Sequence, residues 1–121
     1  MRNDSHINEL CKKWKEILKL NEWDIRVDLG RPDELSEQDR EGECFIELAK
    51  GEAHICLLDP KIPYNFTFPY DIEKVLVHEL LHLSFAFFEP KDDPLRHDLW
   101  ERLIEQSAKT LVRLQRSIDE T

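Results

Sequence analysis

At 121 residues the chain fits one compact domain, residues 1–121, and leaves no room for a second of ordinary size. Hydrophobic residues make up 40% and charged residues 36%, enough for one core under a heavily charged surface, and the apolar residues recur in periodic blocks, which excludes disorder. The net charge of −9 lacks the basic face of a nucleic-acid binder; Lys12, Lys13, Lys15 and Lys19 read as the solvated side of a helix, so DNA, RNA and anionic membranes are not expected partners.

Residues 5–20 read as an amphipathic helix. Ile7, Leu10, Cys11, Trp14, Ile17 and Leu18 follow i, i+3, i+4, i+7 spacing, Asp4 or Ser5 can cap the start, and Asn21 suits the end. Trp23, Ile25, Val27 and Leu29 then alternate with Asp24, Arg26 and Asp28, the pattern of a half-buried strand with one wet face. Polar residues 30–42, with Gly30, Pro32 and Gly42, form a loop. Two short apolar runs, 43–48 and 53–58, flank the turn Lys50-Gly51-Glu52 and predict an antiparallel hairpin. Pro60, Pro63 and Pro69 exclude regular structure over 59–70. A second helix starts with Asp71 as N-cap and runs to about Phe88. A third starts with Asp93 as N-cap and Pro94 at its first position, and runs to about Ser117. The order predicts an α+β domain, with helices on one face of a small antiparallel or mixed three-stranded sheet.

Cys11, Cys44 and Cys56 are odd in number and form no CxxC pair, so neither a disulfide framework nor a cysteine zinc site is expected. The first residues lack the apolar run of a signal peptide, and no apolar stretch reaches the ~20 residues needed to span a bilayer. A cytoplasmic setting is therefore expected, and the sequon Asn65-Phe66-Thr67 reads as chance.

His78-Glu79-Leu80-Leu81-His82 lies in the middle of the second helix. A spacing of four puts both imidazoles on one face, one turn apart, where they can bind one Zn²⁺ at ~2.0–2.1 Å each. Glu79 projects beside that face and can serve as general base toward a water on the metal. Chance gives roughly 0.02 such matches for this composition, so the pattern is informative. Val75, Leu76, Val77, Leu80, Leu81 and Leu83 make the helix apolar nearly all round. Polar groups on a buried helix need partners, and a metal supplies one.

Catalytic zinc normally takes a third protein ligand. A metzincin-type extension fails, because Phe85 and Phe88 stand where glycine and histidine belong. The ligand is therefore expected from the third helix. Its apolar face reads as Trp100, Leu103, Ile104, Ser107, Ala108, Leu111 and Ile118, centred at about 10–20° from Trp100 on a helical wheel. His97 falls at about 60°, Glu101 at about 100° and Glu105 at about 140° on that wheel. Glu101 at the edge of the face is the preferred ligand; His97 is a rival or a supporting partner, and Glu105 points further out.

These residues resemble the minimal gluzincin-type zinc peptidases, among them small metallopeptidases of bacteria and phages. The resemblance spans roughly residues 23–112, with His78, Glu79 and His82 matching its sharp motif and Glu101 matching the glutamate-helix position by placement. It implies a zincin-like fold, one zinc per chain held by His78, His82 and Glu101, and hydrolysis of a peptide or protein substrate. It also implies that 53–58 is the edge strand that pairs with an extended substrate. For a residue that stabilises the transition state, Tyr64, Tyr70, His97 and His54 are candidates by type alone. His54, out of phase with Ala53 and Ile55, sits on the wet strand face or faces the cleft. The alternative function is a binding or regulatory module that keeps the zinc scaffold without turnover. A purely structural zinc site has no need of an adjacent base such as Glu79.

Overall fold

The computed structural model describes residues 1–37, 40–62 and 68–121; Tyr64 and the sequon at 65–67 lie outside the described residues. Six main elements follow in order: α1 (Ser5–Ile17), β1 (Asp24–Gly30), β2 (Gly42–Glu47), β3 (Glu52–Leu58), α2 (Ile72–Ser84) and α3 (Pro94–Asp119). Short 3-10 turns stand at Pro32–Glu34, Leu48–Lys50 and Ala86–Phe88. The architecture is α+β, with a mixed three-stranded sheet.

Asp4 caps α1, its Oδ1 accepting from the Ile7 amide at 2.8 Å. The helix ends at Ile17, before Asn21 is reached. Lys19 turns left-handed at φ 61°, and the chain folds back so that Leu20 and Trp23 enter the core. Burying two large side chains there outweighs three more residues of helix.

The strand order is β1-β3-β2, with β1 parallel and β2 antiparallel to β3. The hairpin of β2 and β3 is therefore present, but β3 is the central strand. Both its edges are taken, and no substrate can pair with it as the resemblance implied. The physical reason is in its composition. Ala53, Ile55 and Leu57 bury one face against the helices, while Cys56 and Leu58 bury the other with Leu35 and Tyr70. A strand covered on both faces belongs in the middle of a sheet. The open edge nearest the helices is that of β2. Gly42 begins it, and a Cβ there would stand 2.8 Å from Val75 Cγ1 and 3.0 Å from Leu57 Cδ2. Glycine is what lets this strand lie directly on α2.

The wet face of β1 is only partly wet. Asp28 is 3% exposed, and its Oδ2 receives His54 Nε2 at 2.7 Å and Arg26 Nε at 2.8 Å. His54 thus sits on the outer sheet face and gives a buried carboxylate a hydrogen-bond partner. The three cysteines are free, and among the described residues no helix is long and apolar enough to cross a membrane.

Val75, Leu76, Val77, Leu80, Leu81 and Leu83 of α2 form the centre of the core. The helix stops at Ser84 and gives way to the turn Ala86–Phe88. On α3 the buried line is Ile104, Ala108 and Val112; Leu103 and Ile118, expected inside, are 55% and 64% exposed. One polar corner joins all three helices. Asp71 accepts from the Lys74 amide at 3.2 Å and from both terminal nitrogens of Arg116 at 2.9 Å. Glu73 receives Trp14 Nε1 at 2.7 Å and Arg116 Nε at 3.1 Å.

Asp71→Ala removes both a helix cap and the anchor of Arg116, and the expected loss is about 1–2 kcal/mol of stability. Burial pushes the Asp71 carboxyl up, but Arg116 and the Lys74 amide outweigh it and hold the group below its ordinary range. Its contribution is therefore present above an ordinary aspartate pKa of about 3.9 and is lost as pH falls below that value. Thermal melts of both proteins at pH 7 and at pH 3 check this: the gap between them should be clear at the first pH and shrink at the second.

Candidate metal centre

α2 presents His78 and His82 one turn apart toward α3, and Glu79 a hundred degrees round toward β2. α3 lies antiparallel to α2, as its polar contacts record: Glu101 meets His82, Glu105 meets His78, and Arg116 meets Asp71. The structure brings His78, His82 and Glu101 together, with ligand atoms all within 4.8 Å of one another. His78 Nε2 and His82 Nε2 are 3.3 Å apart. Glu101 Oε2 is 3.3 Å from the first and Glu101 Oε1 is 3.1 Å from the second.

These edges fit a metal. Tetrahedral bonds of ~2.0–2.1 Å place neighbouring ligand atoms about 3.3–3.4 Å apart. The donor chemistry agrees with the spacing. Glu105 Oε1 lies 2.8 Å from His78 Nδ1, and a carboxylate can only accept, so the ring proton sits on Nδ1. Nε2 faces His82 and Glu101, to which it offers a lone pair when the ring is neutral and a proton when the ring is charged. Nitrogen lone pairs and a carboxylate converging on one point call for a cation or for protons between them.

The local electrostatics follow from these contacts. The hydrogen bonds from His78 and His82 hold Glu101 well below the usual carboxylate range. Burial alone would lower the pKa of His78, but Glu101, the charge of Glu79, and Glu105 outweigh it and raise it. Burial raises Glu79, which is 7% exposed, and the two histidines only partly offset that rise. Glu79 lines a cleft of about 250 Å³ with Gly42, Lys74, His78 and Glu105.

Glu105, expected to point further out than Glu101, instead turns into the seam. It bonds His78 and receives Lys74 Nζ at 2.9 Å, and it is held below the carboxylate range because those partners outweigh its burial. The face predicted for α3 includes Leu103 and Ile118, which are exposed, and lacks Val112, which is buried. The buried line Ile104, Ala108, Val112 centres at about 80°, which puts Glu101 about 20° from its centre and Glu105 at its edge, about 60° round. His97 stands outside the cluster: its Nε2 is 3.3 Å from Glu89 Oε2, and its ring packs on Trp100 at 5.4 Å between centroids. Trp100 in turn sets its edge against His82 at 5.0 Å with planes at 77°. Of the other candidates, Tyr70 donates to the Leu58 carbonyl at 2.7 Å and His54 pairs with Asp28 across the sheet.

The roles of Lys74 and Gly42 escaped the sequence reading. Lys74 stands at i−4 from His78, and that spacing was the available signal. Gly42 read only as a loop residue, and nothing local marks it as a packing glycine. Comparison with protein-family models, with curated proteins and with solved structures gives no match.

Zinc titrations against a chromophoric chelator should give one site per chain, lost in His78→Ala and in His82→Ala and markedly weakened in Glu101→Ala. Glu105→Ala should weaken zinc ~10–100-fold by freeing the His78 ring. His97→Ala should change it less than threefold. A silent Glu105→Ala beside a damaging His97→Ala would overturn this assignment of partners.

Proposed function

We propose that the chain is a zinc-dependent hydrolase of peptide bonds with a zincin-like, gluzincin-type site. The observation that carries this reading is the triangle of His78, His82 and Glu101 with Glu79 beside it in an open cleft. Three protein donors leave a position for substrate, which a structural zinc site does not. Bound there, zinc supplies a Lewis acid that polarises a carbonyl and acidifies water.

The chain's own residues divide the remaining work. His78, His82 and Glu101 would hold the metal, and Glu105, which accepts from Nδ1 of His78, would fix that ring with Nε2 toward it. Glu79, buried beside the site with its pKa raised by that burial, accepts a proton from the attacking water and returns it to the leaving amine. An extended peptide adds to the free edge of β2, the strand that Gly42 lays against the site helix. A second reading, a binding module without turnover, is favoured by one observation. Tyr70, His54 and His97 are engaged with Leu58, Asp28 and Glu89, so none of them is committed to a developing charge at the cleft.

Glu79→Gln separates the two readings. The amide keeps the shape but takes no proton, so the variant should hold zinc as wild type does while peptide hydrolysis falls ~10²–10⁴-fold. Equal cleavage by both proteins removes Glu79 from the chemistry. Absence of cleavage by zinc-loaded wild type across a broad peptide library favours the binding module.

A further inference from the structure

The cleft that His78 and Glu79 line has a second groove as its neighbour. That groove, of about 520 Å³, runs between the start of α2 and the last turns of α3, and Lys74 lines both. Its cations are Lys74, Lys109, Arg113 and Arg116, and its lining carboxylates are Asp71 and Glu120. Four positive groups against two is the reverse of a chain whose net charge is −9.

The cations are not equally available. Lys74 is engaged with Glu105 at 2.9 Å, and Arg116 with Asp71 at 2.9 Å. Lys109 only approaches Glu105, at 3.7 Å, and Arg113 has no ion pair among the described residues. Lys109, Arg113 and Arg116 follow i, i+4, i+7 and so share one face of α3. Lys109 and Arg113 lie eight and twelve residues beyond Glu101, which is about 12 and 18 Å along the helix. An extended peptide covers that distance in about four to five residues.

We propose that this groove is a subsite for a carboxylate of the peptide substrate, about four to five residues to one side of the cleaved bond. This rests on the hydrolase reading above and names its substrate class: peptides that are acidic on that side. A guanidinium takes a carboxylate through two parallel hydrogen bonds, and Lys109 adds a second positive charge within one turn. On an otherwise acidic surface the groove also draws anionic segments in and turns cationic ones away.

The test is binding to the zinc-loaded full chain, measured by calorimetry in 50 mM salt. The probes are five-residue alanine peptides with a zinc-chelating hydroxamate at the N-terminus in one series and at the C-terminus in the other. Each carries Glu-Glu, Gln-Gln or Lys-Lys at its two far positions. First-series peptides are made with free and with amidated C-termini, which separates a terminal carboxylate from a side-chain one. In one series the Glu-Glu member should bind at least ~10-fold tighter than the Lys-Lys member, the size expected of two or three partly screened charge pairs. The double substitution Lys109→Glu, Arg113→Glu should reverse that order and leave the amidated Gln-Gln member and the zinc content unchanged. If Glu-Glu and Lys-Lys members bind alike in both series, or the double variant keeps the wild-type order, the subsite is refuted while the hydrolase reading stands. If no hydroxamate binds and the chain holds no zinc, the hydrolase reading fails and the subsite with it.

Discussion

Two imidazole nitrogens 3.3 Å apart, with a carboxylate 3.1–3.3 Å from both, are the constraint on which the rest of the arrangement depends. Such groups repel or compete unless a cation or protons stand among them, and they scatter unless the backbone holds them. Here the backbone is two antiparallel helices fixed at several levels. Arg116 on Asp71 and Glu73 ties the start of α2 to the end of α3. Lys74 and His78 on Glu105 tie the middle. Val75, Leu76, Ile104, Ala108 and Val112 belong to one buried core around that seam. The polar ladder sets which turn of α3 faces which turn of α2, and the apolar core sets how close they come. A shift of α3 by one residue would carry Glu101 and Glu105 a hundred degrees round the helix and leave the histidines facing each other alone.

Much of this was legible because it depends on short spacing. His78, Glu79 and His82 needed only the helical repeat, and the caps Asp4, Asp71 and Asp93 needed only their place before an apolar run. The α+β order followed from the change of period between elements. What failed depended on distant contacts. The rotation of α3 hung on whether Leu103 or Val112 was inside, and both are aliphatic; only the packing partner decides. The end of α1 was misplaced because Leu20 and Trp23 gain more from the core than from the helix. The position of β3 was hidden for a related reason. Its run Ile55-Cys56-Leu57-Leu58 has apolar residues on both faces, a central-strand pattern, yet the hairpin reading fixed only its partner on one side.

The sheet order matters to the site. With β1 parallel to β3 and β2 on the outside, the strand beside α2 is one with an open edge. The contact at Gly42 then sets the depth of the cleft. Any side chain there would push β2 away from Val75, which stands one turn before Glu79, and would widen the gap that Glu79 lines. Glycine is conformationally costly in a strand, so its presence at this contact reads as a packing requirement.

Three glutamates in one seam carry three different charge environments, and this is where sequence type stops and structure begins. Glu101 faces two imidazoles and is held ionised. Glu105 faces His78 and Lys74, and is also held ionised, but on the far side of the ring. Glu79 faces the buried wall of β2, where burial favours its protonated form more than the histidines oppose it. The proposed ligand, ring anchor and proton carrier thus differ in surroundings within a few residues of identical chemistry. Pushing the pKa values of neighbouring acids apart is how a site assigns different roles to one residue type. Exchanging the environments of Glu79 and Glu101 would exchange the two directions in which their carboxyls are pushed. The roles therefore belong to the positions on two helices and one strand, and the repeat of α2 dictates only which side each residue starts from.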